Sequence, residues 1–129
     1  MTVNLLATVD LGSNSFRLLI GKINSDGTIV PLDQIKETVR LASGLDAKNN
    51  LTKESQLFAL EVLTRFSERL SNFKKSQVRV VGTSTLRVAN NSAEFITIAN
   101  KALGFPIEVI SGKEEARLIY LGFLSSLPQ

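Results

Sequence analysis

The chain has 129 residues, 43% hydrophobic and 21% charged, so it has room for one domain built around a single core. It contains neither cysteine nor histidine, which excludes disulfides, thiolate nucleophiles, histidine bases and histidine-bound zinc, and favours a reducing, cytoplasmic location. The net charge of +3 is too small to indicate nucleic-acid binding, and the apolar runs are too short to span a membrane, so we expect neither DNA nor membrane partners.

Three β-strands are predicted in the N-terminal part of the chain. Apolar residues dominate 5–10 and 16–23, and a third β-prone run extends from 28 towards 39 with a bend near Pro31. The sequence NSDG at 24–27 places an Asp-Gly pair between the last two runs. This pair predicts a tight turn.

A long helix is predicted after a polar loop at 42–50. It begins at Thr52 as N-cap and ends near Phe73, because large apolar residues recur at steps of three and four. The stripe consists of Leu57, Leu60, Leu63, Phe66, Leu70 and Phe73.

Strands and helices alternate in the remaining part. A buried strand is predicted at 78–83, followed by a helix at 91–103 in which Asn91 and Glu94 have the spacing of an N-cap and its return partner. A short strand at 107–110 and a final helix at 111–123 complete the pattern. The order β-β-β-α-β-α-β-α predicts an α/β domain with a mixed five-stranded sheet.

The turn between the first two strands concentrates small polar residues behind a carboxylate. Asp10 ends the first apolar run, and the turn consists of Gly12, Ser13, Asn14 and Ser15. Glycine permits positive φ and close backbone approach, and the N–H and O–H groups of such a turn can surround a phosphate. Asp10 can hold a metal ion or a water molecule beside it. A plain β-hairpin with a polar tip is the alternative interpretation.

A second polar cluster follows the strand at 78–83. Three consecutive hydroxyls, at 83–85 and including those of Thr83 and Ser84, and the guanidinium of Arg87 come at the C-terminal end of a strand, where open α/β sheets place ligands. The N–H groups at the start of a helical turn also favour anions. The alternative is a hydroxyl N-cap followed by a solvated arginine.

A third cluster supplies a candidate general base. The G-x-x-x-x-G-K-[ST] and G-x-G-x-x-G loops are both absent, so catalysis would depend on carboxylates, Arg, Lys, hydroxyls and a metal ion. Ser111 and Glu114 have the spacing of a capping box, which gives Glu114 a structural role. Glu115 is then the carboxylate placed in the first turn of a helix to act as a base on water.

The three clusters together resemble the exopolyphosphatase and guanosine pentaphosphate phosphatase family. The resemblance rests on VDLGSNSF at 9–16, GTSTLR at 82–87 and ISGKEEARLIY at 110–120, with ETVRLASGL at 37–45 in the same register. It implies a ribonuclease-H-like, actin-like fold whose two lobes close on a phosphate chain. It also implies magnesium-dependent removal of terminal phosphates from polyphosphate or of the 5′-terminal phosphate from guanosine pentaphosphate.

The resemblance also implies roles for single residues. The loop at 12–15 would bind phosphate with Asp10 near the metal, Thr83, Ser84 and Arg87 would hold phosphates, and Glu115 would activate water. Arg17 stands where well-known members carry histidine, and it is expected to face away from the site. The chain would be the N-terminal lobe of a two-lobed enzyme, lacking its second lobe and inactive alone. The resemblance leaves open a homodimer of the full-length protein.

Three functions remain open from the sequence. The favoured one is hydrolysis of polyphosphate, and the second is hydrolysis of guanosine pentaphosphate, which shares these motifs. The third is a non-catalytic phosphate-binding or actin-like module, against which Glu115 speaks because binding alone needs no base.

Overall fold

A mixed five-stranded sheet organises residues 4–110, the part of the chain that the computed structural model describes. Its strands are β1 (Leu5–Leu11), β2 (Ser15–Ile23), β3 (Ile29–Thr38), β4 (Val78–Gly82) and β5 (Ile107–Val109). In space they follow the order β3-β2-β1-β4-β5. β1 and β3 are antiparallel to β2, whereas β4 runs parallel to β1 and β5. The five predicted strands and the mixed sheet are confirmed.

Within residues 4–110 three α-helices accompany the sheet: α1 (Lys53–Arg69), α2 (Ser84–Val88) and α3 (Ser92–Leu103). α1 begins at the predicted N-cap, where the Thr52 hydroxyl accepts a hydrogen bond of 3.2 Å from the N–H of Ser55. The predicted final helix starts at residue 111 and lies outside the described residues. Among residues 4–110, no helix has the length and apolar character needed to cross a membrane.

The hydrophobic core lies on one face of the sheet. Alternate residues of β1 and β2 point into it, because successive side chains of a strand face opposite sides. α1 and α3 cover this face and contact each other. The largest side chains of the core that are less than 2% exposed are those of Leu11, Phe16, Leu18, Leu41, Leu63, Phe66, Leu70, Leu86, Phe95 and Leu103.

The buried stripe of α1 differs from the predicted one. The buried residues of the helix are Ala59, Val62, Leu63 and Phe66, whereas Leu57 is 56% exposed. The prediction counted only large side chains and overlooked Ala59 and Val62, which complete the i, i+3, i+4, i+7 stripe. α1 also ends earlier than predicted, at Arg69.

The predicted capping pair at the start of α3 is absent. Asn91 is the N-cap by backbone position, but its side chain makes no capping hydrogen bond. It instead contacts the backbone of Leu51, 40 residues earlier in the chain. A local pattern has therefore been overridden by a tertiary contact.

The turn at 24–27 and the bend at Pro31 are both confirmed. Gly27 adopts φ 86°, and its N–H donates to the carbonyl of Asn24 over 3.0 Å. In the β2–β3 ladder Ile20 pairs with Asp33 but Gly21 pairs with Pro31, so Leu32 is bulged out. A proline cannot donate to the ladder, which explains the irregularity at this edge strand.

Candidate functional site

The turn between β1 and β2, which we call the tip (residues 12–15), is closed by a tight backbone contact. The N–H of Gly12 donates to the carbonyl of Ser15 over 3.1 Å. A Cβ on Gly12 would lie 2.9 Å from that carbonyl oxygen, so a larger residue would force the tip open. The positive φ anticipated for Gly12 is not used, since the glycines with positive φ within residues 4–110 are Gly27 and Gly104. Close approach is what requires glycine here.

The carbonyls of the tip are held from outside by the segment after β3. The carbonyl of Asn14 accepts from the N–H groups of Val39 (2.9 Å) and Arg40 (2.8 Å), and that of Ser13 accepts from Ala42 (3.0 Å). Arg40 adopts φ 54°, a left-handed conformation unusual for a residue with a side chain. This segment orients the peptide groups at the top of the tip.

The N–H groups of Ser13 and Asn14 are left available as donors. Neither donates a hydrogen bond to any group within residues 4–110. Ser13 is half-buried and Asn14 is exposed. Adjacent N–H groups without partners form a concave donor surface of the kind that binds anions.

The second polar cluster is joined directly to the tip. β4 lies beside β1 with Leu11 opposite Gly82, and the N–H of Thr83 donates to the carbonyl of Leu11 over 3.4 Å. The hydroxyl of Ser13 accepts two hydrogen bonds from Thr85, one from its N–H (3.3 Å) and one from its hydroxyl (2.8 Å). The two predicted clusters therefore share one edge of the sheet.

Thr85 is a residue that the sequence analysis missed as an individual contributor. It is only 4% exposed, and it is the one polar residue in the buried class among those whose burial the structure describes. The sequence favours its neighbours Thr83 and Ser84 equally, because a run of hydroxyls does not reveal which one points inward. Here α2 begins at Ser84, and this turn directs Thr85 towards Ser13.

The other predicted residues of this cluster lie at or near the start of α2. Thr83 is the N-cap, is half-buried and makes no capping hydrogen bond through its side chain. The side chain of Ser84 is outside what the structure describes. Arg87 is exposed and lies two residues after Thr85, with its N–H donating to the carbonyl of Thr83 over 3.3 Å.

Asp10 stands directly opposite Arg17 in the β1–β2 ladder. Cross-strand partners project on the same face of a sheet, so the expectation that Arg17 faces away from the site is wrong. Burial raises the pKa of the Asp10 carboxyl above its usual value, and the positive charge of Arg17 partly offsets this rise. The pairing could have been foreseen, since closure of the tip by Gly12 and Ser15 leaves residues 10 and 17 opposite each other.

Asp10 is on the sheet face opposite the main core. Its neighbours Val9 and Leu11 are buried on the core side, so the alternation of β1 places Asp10 on the other side. Within residues 4–110 no group of three or more acidic, histidine or cysteine side chains is arranged to hold a metal ion. A single carboxylate fits Mg²⁺ only where waters and ligand phosphates complete the shell.

The third predicted cluster lies outside the described residues. Glu115, and the capping box of Ser111 and Glu114, fall beyond residue 110. Their assignment remains a prediction from the sequence.

The chain belongs to the Ppx/GppA phosphatase family, because its residues 19–129 match the model of that family. The resemblance seen in the sequence is thereby confirmed. The family description covers phosphatases and does not distinguish between substrates.

Solved structures of the family have the same fold. The chain is 27% identical to an Aquifex aeolicus member, with a TM-score of 0.81 over 99% of this chain and 42% of that one. It is 32% identical to an exopolyphosphatase from Cytophaga hutchinsonii, with a TM-score of 0.78 over 96% of this chain and 39% of that one. The chain therefore spans about two fifths of the length of these relatives.

A more distant likeness extends the fold class beyond the family. A nucleoside triphosphate hydrolase from Neospora caninum is 16% identical and matches with a TM-score of 0.57 over 97% of this chain and 32% of that one. At this identity the likeness concerns the fold alone. The predicted ribonuclease-H-like, actin-like α/β class is confirmed.

Proposed function

We propose that this chain forms one side of the active site of an exopolyphosphatase, which hydrolyses terminal phosphoanhydride bonds of inorganic polyphosphate. The observation that carries the proposal is the pair of N–H donors at Ser13 and Asn14, beside the start of α2. Membership of a phosphatase family and similarity to an exopolyphosphatase support it.

The terminal phosphate would bind at the tip. Both lone pairs of the Ser13 hydroxyl accept from Thr85, so its proton remains to be donated, and a phosphate oxygen is a suitable acceptor. The two N–H groups of the tip would add further donors, and we propose the hydroxyls of Ser15, Thr83 and Ser84 as the remaining ones. Arg87 would supply a charge-assisted contact to a neighbouring phosphate. Such donors stabilise the charge that develops during phosphoryl transfer.

Asp10 would provide one oxygen to Mg²⁺ that enters with the phosphate chain. The residues present fit this arrangement, because Asp10 is exposed to an entering ion, and a bound cation would offset the partial desolvation that raises the pKa of its carboxyl. The ion would supply charge neutralisation at the phosphate oxygens.

Glu115 is proposed as the general base on water, and a second lobe as the opposite side of the site. The family members that match are more than twice as long as this chain, which supports a contribution from further residues. Donors on one side only would leave the remaining phosphate oxygens to solvent. We therefore expect residues 1–129 alone to bind phosphate weakly and to hydrolyse neither substrate at a useful rate.

The test is phosphate release by the full-length protein, with magnesium, from long-chain polyphosphate and from guanosine pentaphosphate. The Glu115→Gln variant should lose about 10²–10⁴-fold in turnover while retaining substrate binding. Glu114→Gln is the matched control and should remain active, because glutamine can also close a capping box.

The outcomes separate the candidate functions. Preference for guanosine pentaphosphate would replace polyphosphate as the substrate while keeping the site. Binding without release of phosphate from either substrate would indicate a non-catalytic module. If Glu114→Gln were inactive and Glu115→Gln active, the two carboxylates would have been assigned the wrong way round.

A further inference from the structure

Asn91 holds the backbone of a distant residue through both ends of its side-chain amide. Its Oδ1 accepts from the N–H of Leu51 over 2.8 Å, and its Nδ2 donates to the carbonyl of Leu51 over 3.1 Å. The side chain thus imitates a neighbouring β-strand. Such a two-point contact fixes both distance and orientation between the two segments.

The segment that Asn91 holds is itself stiffened by its own hydrogen bonds. Leu45 and Leu51 form an isolated antiparallel bridge, and one carboxylate oxygen of Asp46 accepts from the N–H groups of Lys48 (2.8 Å) and Asn50 (3.0 Å). This loop, residues 42–51, therefore acts as a rigid bracket rather than as a loose connection.

The bracket joins the two sides of the proposed site. At one end the N–H of Ala42 donates to the carbonyl of Ser13 in the tip, and at the other Asn91 lies three residues after the end of α2. The N–H of Asn90 adds a hydrogen bond of 2.8 Å to the carbonyl of Asn49. The hydrogen bond between the hydroxyls of Thr85 and Ser13 connects α2 directly to the tip.

The hydrogen bonds form a closed ring through the tip, the bracket, Asn91 and α2. We propose that Asn91 is a positioning residue, which fixes Arg87 relative to the phosphate donors of the tip by locking the bracket to the start of α3. The inference rests on the proposed function, because the position of Arg87 affects activity only if Arg87 and the tip bind phosphate. The ring itself consists of contacts within the described residues.

Asn100 provides a matched control on the same helix. Like Asn91 it is half-buried, and its Oδ1 accepts from a backbone N–H, that of Ile107, over 2.9 Å. It lies near the opposite end of α3, away from the tip and from α2. Asn91→Ala and Asn100→Ala therefore both remove a side-chain contact to the backbone, but only the first removes a contact of the ring, which then depends at this point on Asn90.

Amide hydrogen exchange on the full-length protein tests the ring without reference to activity. In Asn91→Ala the N–H groups of Ala42 and Thr85, which donate to Ser13, should exchange about tenfold faster than in the wild type. In Asn100→Ala they should change by less than about twofold. Acceleration confined to Leu51, or equal acceleration in both variants, would overturn the proposal.

A double-mutant cycle with Arg87 tests the positioning role. Asn91→Ala should lower kcat/KM for the preferred phosphate substrate by about 10- to 100-fold, and by less than about twofold when Arg87→Ala is already present. Additive losses would overturn the role of Asn91 in placing Arg87. A wild-type protein that releases no phosphate would refute the proposed function, and the exchange measurement would then decide on the ring alone.

Discussion

The two turns that bound β2 have similar compositions and are built in opposite ways. The turn at 24–27 is braced from within, since one carboxylate oxygen of Asp26 accepts from both the N–H (3.0 Å) and the hydroxyl (2.6 Å) of Thr28. The tip at 12–15 is held from outside, with its carbonyls bound by Val39, Arg40 and Ala42. Within residues 4–110 two adjacent N–H groups lack a partner in each turn, those of Ser25 and Asp26 in the first and those of Ser13 and Asn14 in the tip, so the turns differ in what holds their carbonyls.

The difference teaches how a connecting turn and a binding turn can be told apart. Glycine, serine and asparagine occur in both, so composition does not separate them. The two turns differ in which segments supply the partners of their backbone groups. This can be checked in any folded chain, because nearly every buried backbone N–H and C=O group has a hydrogen-bond partner. A turn whose carbonyls are bound by other segments while its N–H groups remain available is arranged for an anion.

The largest contrast is expected between alanine substitutions of the two glycines. Gly12→Ala should lower kcat/KM by about 100-fold, because the new methyl group would meet the Ser15 carbonyl at 2.9 Å and displace the donors. Gly27→Ala meets no atom within 4 Å but strains a residue with φ 86°, and should cost about 1 kcal/mol of stability with unchanged kinetics.

Steady-state phosphate release and urea unfolding, measured on both variants in the full-length protein, give the two quantities. Equal kinetic effects of Gly12→Ala and Gly27→Ala would contradict the distinction between a binding turn and a connecting turn. The tip would then be an ordinary hairpin turn.

A second contrast compares Arg87 of α2 with Arg65 of α1. Arg87→Ala should weaken polyphosphate binding and slow turnover together, by about 10- to 100-fold in kcat/KM, as expected for loss of a charged hydrogen bond. Arg87→Lys should recover only part, because lysine lacks the planar fork. Arg65, which is half-exposed and lies 3.6 Å from Glu37, is the control.

Arg65→Ala should leave the kinetics unchanged and cost less than about 1 kcal/mol of stability, since exposed ion pairs contribute little. If Arg87→Ala had the same kinetics as Arg65→Ala, Arg87 would be a surface residue without a role in phosphate binding.

A third contrast compares the two serines. Ser13→Ala should lower the free energy of unfolding by about 1–3 kcal/mol, because Thr85 is buried and loses the acceptor of its hydroxyl. Ser25→Ala, at an exposed position, should change it by less than about 0.5 kcal/mol. Urea unfolding of Ser13→Ala, Thr85→Val and the double variant checks the pairing, since the double loss should be smaller than the sum.

The sequence predicted the elements well because their signals are local. Alternation and turn residues located the strands, and the hydroxyl of Thr52 marked the start of α1. It failed where small residues carry a buried stripe, as at Ala59 in α1. Leu57 is large and apolar, but its angular position around the helix places it outside the buried stripe.

In the candidate site, too, some features could be predicted from local residue types and others depend on contacts between distant residues. The clusters around Ser13 and Thr83 were recognised from their residue types, and the parallel pairing of β1 and β4 brings them together. The partner of Asn91 could not be foreseen, because Leu51 is 40 residues away and only the folded chain makes them neighbours. Thr85 could not be singled out, because a run of three hydroxyls does not reveal which one points inward.

The smallest expected effect is a pair of opposite pH dependences at the two aspartates. Burial raises the pKa of Asp10 above 3.8, so the fold favours its protonated form; this stabilisation is complete below pH 3.8 and is lost as the pH rises through the raised pKa. Hydrogen bonds from Thr28 lower the pKa of Asp26, so its stabilisation is present above pH 3.8 and is lost as the pH falls through the lowered pKa.

Asparagine substitutions at Asp10 and Asp26 show whether ionisation of each carboxyl lowers or raises the stability of the fold. At neutral pH Asp10→Asn should raise the thermal midpoint and Asp26→Asn should lower it, and both differences from the wild type should shrink as the pH falls towards the acid range. Thermal unfolding scans of the three proteins across that range provide the measurement. Differences of the same sign at neutral pH would contradict the comparison, since a carboxylate desolvated beside a binding turn and one satisfied within its own turn must respond oppositely to ionisation.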